Sequence, residues 1–409
     1  MPGAQSLDAR ISDFGKIIFL GLACALLYHL IQGFFFGQTY PASTFLFRPA
    51  ARFSDFFDFY QHSHHLNPYR EIGPTAYRAY FPVAYILGYI FGILKPEASF
   101  IVVTTLALTS IFFSCATLLD QSKFEKTTWA IFLAVLCSYP FLFTLDRGNT
   151  EIVLLALLLR FVISFFQNKP VRCAFFLSLA VGMKLTPLIF IVLFIAHRRP
   201  KELVLTLFFS ALFMAGAFEV FALQTGTSLL TQYSAMTTNQ VLFTRTYSMT
   251  TEGTLFTHGL FTFFKFCLYA FDVPGAAALI QNALPIHTYI SALVAMVTCS
   301  YVLWLEKTLW KQFAVLILTT LLLPHMSGDY KLILLLMPLL LLLKDPAQDS
   351  STRIWIFWFG LIMIPKNYYR LSNLPEANLT VPINTLLMLG LLVAIMIEGA
   401  ERKRLNKTL

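Results

Sequence analysis

The chain has 409 residues, of which 57% are hydrophobic and only 12% charged, with 42 phenylalanines. A soluble domain of this size carries about 25% charged residues, so the composition excludes a soluble globular protein and points to an integral membrane protein. The formal charge of +9 is not that of a nucleic-acid binder. Its basic residues stand in short clusters between apolar runs, such as 197–201 and 401–404, and such clusters mark loops that stay in the cytoplasm.

The first apolar run, Lys16 to Gly37, is long enough to span and has no small-residue cleavage site. It reads as an anchored first helix, not as a removable signal peptide. A long polar loop, 38–97, follows. Within it, the stretch Phe53 to Tyr69 is too polar to cross a bilayer. At helical spacing Asp55, Asp58, His62 and His65 share one face, and Phe53, Phe56, Phe57 and Tyr60 the other. That pattern describes a helix lying at the membrane surface, with acids wet and phenylalanines in lipid. Two carboxylates at that boundary suit proton abstraction from a substrate carried on a lipid; they equally suit a plain amphipathic connector. His62, His64 and His65 lack the helix-spaced acid support of a metal site, so no metal is expected.

Further spans are expected over about 98–119, 127–143 and 150–167. Between the last two lies the turn Asp146-Arg147-Gly148-Asn149. Caps and a turn explain Asn149 and Gly148. Arg147 at a helix start would oppose the macrodipole, so an anion site for a phosphate is the competing reading. The run 173–197 is flanked by basic residues on both sides, which favours a hairpin of two short helices with its apex at Met183 to Pro187. Lys184 at that apex either snorkels to the interface or faces an anionic head group.

Spans over about 202–222, 286–306, 311–324, 331–343, 354–365 and 382–399 complete the pattern, with an external loop 223–285 and short or interrupted runs at 82–94 and 255–271. The turn 323–331 is dense in titratable groups, with His325, Asp329, Tyr330 and Lys331. The segment after Pro365 offers Tyr368 and Arg370, which suit a saccharide or a simple aromatic belt. The six cysteines form no CxxC or CxxH pattern and read as small core residues. The expected fold is therefore an all-α polytopic membrane protein of about 12 transmembrane helices, one domain over 1–409, with interfacial helices in the first external loop and both termini cytoplasmic. The polar islands then gather on the extracytoplasmic side, where polar residues of a membrane protein read as a functional site.

These residues resemble glycosyltransferase family 87, the polyprenol-phosphate-mannose-dependent mannosyltransferases of the polytopic C-type superfamily. The resemblance is carried by Ser54-Asp55-Phe56 with Tyr60 and Asn67-Pro68-Tyr69, by Tyr80-Phe81-Pro82, by Arg147-Gly148-Asn149 and by Lys184-Leu185-Thr186-Pro187, in that order, with a looser match around Pro324 and Tyr330. It implies a bundle of the C-type superfamily and an inverting hexose transfer from a polyprenyl-phosphate sugar to a lipid or glycan acceptor, at a bacterial plasma membrane and without a cofactor. It implies Asp55 as general base, with Asp58 one turn away able to share the role. Arg147, Asn149 and Lys184 would receive the donor phosphate, and Tyr60, Tyr69, His325, Asp329, Tyr330, Lys331, Tyr368 and Arg370 the remaining substrate. The rival class is a transporter or flippase of a lipid-linked or small anionic substrate. It predicts internal repeats, which the sequence does not display.

Overall fold

A computed structural model describes residues 6–64, 66–69, 80–120, 125–250, 254, 256–345, 351–368, 370–371 and 374–408. The described chain is overwhelmingly helical, as its composition dictates, because a backbone in lipid must satisfy its own hydrogen bonds. Among the described residues, five helices are long and apolar enough to cross a membrane: Leu7–Phe34, Pro96–Leu118, Pro200–Thr225, Ala276–Trp304 and Thr380–Arg404. Large apolar side chains such as Leu20, Leu27, Phe208, Leu223, Leu293 and Met296 stand exposed on them, the surface that lipid covers and water would not. The protein is an integral membrane protein.

Among the described residues these helices do not establish the expected twelve. A sixth span results if Lys126–Leu136 and Tyr139–Arg147, bent by 63°, are taken as one. That bend falls where Pro140 opens the second helix and where the Ser138 hydroxyl donates to the carbonyl of Val135 (2.6 Å). Other expected spans are short pieces, such as Glu151–Phe166, Pro170–Met183 and Leu309–Leu322. At 1.5 Å per residue a helix of about 16 residues covers about 24 Å, less than the ~30 Å hydrocarbon core.

The apex at Met183 to Pro187 forms as expected. Pro170–Met183 ends at Lys184, whose backbone is extended (φ −149°, ψ 139°), and Pro187 enters a short 3₁₀ turn, Thr186–Phe190. The region 223–285 is more ordered than a loop. It holds the helix Leu229–Phe243, capped by the Ser228 hydroxyl, and the helix Leu260–Ala270. The next long helix begins at Ala276 and carries Pro285 inside it, so the proline does not mark its start. Two small antiparallel strand pairs interrupt the all-helical expectation: Thr257–His258 with Ser327–Gly328, and Arg370–Leu371 with Leu374–Asn378.

The chain divides into two compact units. One comprises Arg52–Ser114 and Arg147–Thr246. Its core gathers Phe59, Tyr69, Ala84, Tyr85, Met183, Phe218, Phe221 and Met236. Glycines allow close approach there: a Cβ on Gly182 would lie 2.5 Å from Val83, and one on Gly88 would strike Ser63 and Phe59. The other comprises Met1–Ala51, Cys115–Asp146 and Tyr247–Leu409. In it Leu7–Phe34 packs on Thr352–Met363, and Ala25, Phe45, Tyr139, Phe143 and Phe256 form an aromatic cluster.

Candidate functional site

In the first of these units, the helix Ser54–Ser63 starts from Phe53, held left-handed at φ 60°. Asp55 lies in its first turn, where the macrodipole favours an acid. Phe56 and Phe59 are buried in the protein. This corrects the expectation that Phe56 faces lipid, and the reason is a glycine. Gly148 sits at φ +65°, and a Cβ there would come within 2.8 Å of the Phe56 Cβ and 3.3 Å of the Phe53 Cα. The Arg147-Gly148-Asn149 turn thus lies directly against the start of the acid-bearing helix.

That contact aligns three side chains. Arg147 Nη2 donates to Asp55 Oδ1, and Asn149 Nδ2 donates to Asp55 Oδ2 at 2.8 Å. The Asn149 Oδ1 accepts from the backbone N–H of Glu151 at 3.1 Å, so Asn149 both serves the first free N–H of the helix Glu151–Phe166 and orients the carboxylate. Arg147 is the last residue of Tyr139–Arg147. At a helix C-terminus the macrodipole favours a cation, so the supposed dipole conflict at this arginine does not exist. The Asp55 and Arg147 side chains are each 18% exposed, paired yet reachable.

A second ion pair follows along the same frame. Lys184 Nζ donates to Glu151 Oε1, and the ammonium lies 5.3 Å from the centre of the Tyr80 ring. Glu151 is 1% exposed. Burial works against the lysine charge, but Glu151, with help from Tyr80 and Asp55, more than offsets it and raises the Lys184 pKa above the ordinary value. Lys184 has no acid near it in sequence; its partner is a residue that the motif reading did not single out. The only sequence signal for Glu151 was an acid placed first in a strongly apolar helix.

Asp58 separates from Asp55. Its side chain is 58% exposed and lies 3.0 Å from His62 one turn on. Tyr60 donates to the carbonyl of Leu94 (2.7 Å) and stacks on His64. With Phe57, Gln61 and Pro96 these two line an open, mainly apolar depression of about 340 Å³. Tyr69 is buried, donating to the carbonyl of Tyr80 (2.9 Å), while its own carbonyl accepts from Asn239 (3.3 Å). His65 lies outside the described residues.

The remaining expected residues belong to the other unit. Asp329 is wholly buried: Tyr139 donates its hydroxyl to Oδ2 (2.7 Å) and His258 Nδ1 meets Oδ1 at 3.0 Å. Ser327 Oγ lies 3.1 Å from His258 Nε2. Burial lowers the His258 pKa despite Asp329, so the ring is neutral, donating from Nδ1 and accepting at Nε2. The strand register places His258 opposite Ser327, which is why the chain closes. His258 was not singled out from the sequence, since a lone histidine inside an interrupted apolar run carries no spacing signal. His325 meets the Thr288 hydroxyl at 2.9 Å and packs beside Phe261 and His287. Tyr330 is half-buried against the aromatic cluster, and its carbonyl accepts from Thr144 (3.2 Å). Lys331 is half-buried and bears on the charge of His258. Tyr368 packs edge-on to Tyr28 at 5.3 Å. Arg370 contributes backbone to a strand, while its side chain lies outside the described residues.

Comparison with curated proteins gives no match. A family model does match, over residues 79–338, well over half of the chain. The matched region contains Tyr80, Arg147, Asn149, Glu151, Lys184, His258 and Asp329, while Asp55 precedes it. An enzyme is thereby favoured over a carrier: the chain belongs to glycosyltransferase family 87 and is a membrane glycosyltransferase.

Proposed function

We propose that the protein transfers a hexose, mannose by its resemblance to the family, from a polyprenyl-phosphate sugar to a lipid or glycan acceptor, with inversion and with Asp55 as general base. The observation that carries this reading is the Asp55 carboxylate, reachable from outside yet gripped by Arg147 and Asn149, in the unit that also presents Lys184. An ionised carboxylate has about four lone-pair sites, so two hydrogen bonds orient it without exhausting it. The acceptor hydroxyl gives its proton to Asp55 as its oxygen attacks the anomeric carbon, and the carbon–oxygen bond to the phosphate breaks with its electrons going to the phosphate. Phosphate is a competent leaving group and needs a cationic field more than an acid. Arg147 and Lys184 supply that field. A guanidinium carries five N–H donors, enough to serve Asp55 and a phosphate together.

In this proposal Asn149 orients Asp55 with one amide N–H and offers the other to the donor phosphate, and Asp58 is the alternative base. Tyr69 and Asp329 act by holding the chain around them, being buried and hydrogen-bonded within the protein. Tyr60, His325, Tyr330, Lys331, Tyr368 and Arg370 are assigned to sugar and acceptor contacts in their own units. The termini lie in the cytoplasm and the reaction takes place on the outer face of a bacterial plasma membrane, as the placement of the basic clusters suggests. The test is purified protein supplied with radiolabelled polyprenyl-phosphate sugars and a membrane-lipid extract. Labelled product supports the reading; movement of an unchanged lipid-linked sugar without product would restore the carrier.

A further inference from the structure

We propose that Glu151 is a positioning residue of the transfer site, which keeps Lys184 as an ammonium in a fixed place so that it can receive the donor phosphate. The inference rests on the reading of Lys184 as a phosphate ligand and adds to it the group that makes this possible.

Three observations carry it. First, the pair is buried on one side only: Glu151 is 1% exposed and the Lys184 side chain 19%. The carboxylate is sealed while the cation retains an opening. Second, Glu151 Oε2 is buried without a hydrogen-bond donor from the described protein. A buried carboxylate with one oxygen unserved costs stability, and an apolar residue of similar volume would fill the same space at less cost. A charge retained against that cost is retained for what it does to its neighbour. Third, Glu151 is tied to the proposed base, because Asn149 bonds its backbone N–H with one end of the amide and Asp55 with the other. The base and the cation therefore sit on one frame.

Among the described residues, the charged and titratable groups that bear on Lys184 include Glu151, Tyr80 and Asp55. Of these only Glu151 makes an ion pair with it. Replacing Glu151 by an amide leaves a largely buried amine facing an aromatic ring and a carboxylate already engaged by Arg147. Burial disfavours the charged form of an amine, so the lysine of that variant loses its proton within an accessible pH range, and with it the attraction for a phosphate.

The experiment measures binding of farnesyl-phosphate mannose to the detergent-solubilised full-length protein between pH 7 and pH 9.5, without acceptor. This probe is a phosphodiester, so its own charge does not change in that range. Wild-type protein is expected to bind with a pH-independent Kd, and Lys184→Ala to weaken binding at every pH. Glu151→Gln should bind near wild type at pH 7 and lose about tenfold or more by pH 9.5. The double variant Glu151→Gln/Lys184→Arg should show no such slope, because a guanidinium stays protonated. Glu151→Asp, which keeps the charge, should also be flat, and it serves as the second test if Glu151→Gln does not fold to a monodisperse protein. A flat Glu151→Gln profile beside a weakened Lys184→Ala overturns the role of Glu151 alone, as does a slope in Glu151→Asp. No binding by wild type, or indifference to Lys184→Ala, overturns the donor-site reading itself and this inference with it.

Discussion

Asp55 and Asp329 are both carboxylates gripped at each oxygen, yet their settings are opposite. Asp55 is bonded by Arg147 and Asn149 and keeps an 18% exposed side chain, while Asp329 is bonded by Tyr139 and His258 and is wholly buried. Hydrogen bonds alone therefore do not distinguish the carboxylate proposed to react from a fastening one; access does. Asp55 is oriented and can still meet a substrate hydroxyl. Asp329 instead joins a strand, a turn and the aromatic cluster of its own unit, since its partners come from 139 and 258.

The largest break in that contrast is expected from Asp55→Asn. It should reduce transfer by about 10²–10⁴-fold, the usual worth of a general base, while detergent-extracted protein melts as wild type does. Full activity in this variant, with Asp58→Asn dead, would move the base one turn along. Asp329→Ala should do the reverse. It leaves the Tyr139 hydroxyl and the His258 N–H buried without an acceptor, at about 1–3 kcal/mol each, so thermal unfolding should shift sharply while the folded fraction keeps turning over. Activity lost with unchanged melting would make Asp329 a substrate ligand after all.

Arg147→Ala should raise the donor KM by about ten- to a hundredfold, since charge-assisted bonds contribute about 1.5–3 kcal/mol. Unchanged donor kinetics would leave Arg147 only the task of holding Asp55. A gentler probe is pH. The folded protein holds His258 below its ordinary pKa, so above about pH 6.5 folded and unfolded rings are both neutral and this histidine contributes no pH dependence. Below that, the unfolded ring takes a proton that the buried one resists, and stability falls. His258→Gln should flatten part of that acid-side drop in melting temperature; an equal slope in both proteins would place its origin elsewhere. The smallest effect is expected from Asp58→Asn, within about threefold of wild-type turnover, because exposed ion pairs such as Asp58 with His62 contribute about 0–1 kcal/mol.

Much of the candidate site was legible because its motifs are local. Ser54 to Tyr60 declared an amphipathic helix with an acid near its start, Arg147-Gly148-Asn149 a polar turn, and Lys184 with Pro187 a break between apolar runs. Glu151 and His258 were not legible, because each acquires its task from a residue far away in sequence, Lys184 in one case and Asp329 in the other. Helix ends were misjudged at prolines. Pro140 opens a bent second helix and Pro285 sits within a continuous one, and the surrounding packing decides between those outcomes.

The sequence by itself determined that this is a helical membrane protein, since 57% apolar residues in long runs admit no other solution in lipid. It also singled out the short polar segments proposed to carry the chemistry, because charged and hydrogen-bonding groups are rare among such runs and stand out. Tertiary structure alone decided which of two acids one turn apart meets Arg147 and Asn149. Gly148, free of a Cβ, lets the Arg147 turn settle on Phe56 and Phe53, and at that distance only the first-turn acid, Asp55, meets both Arg147 and Asn149.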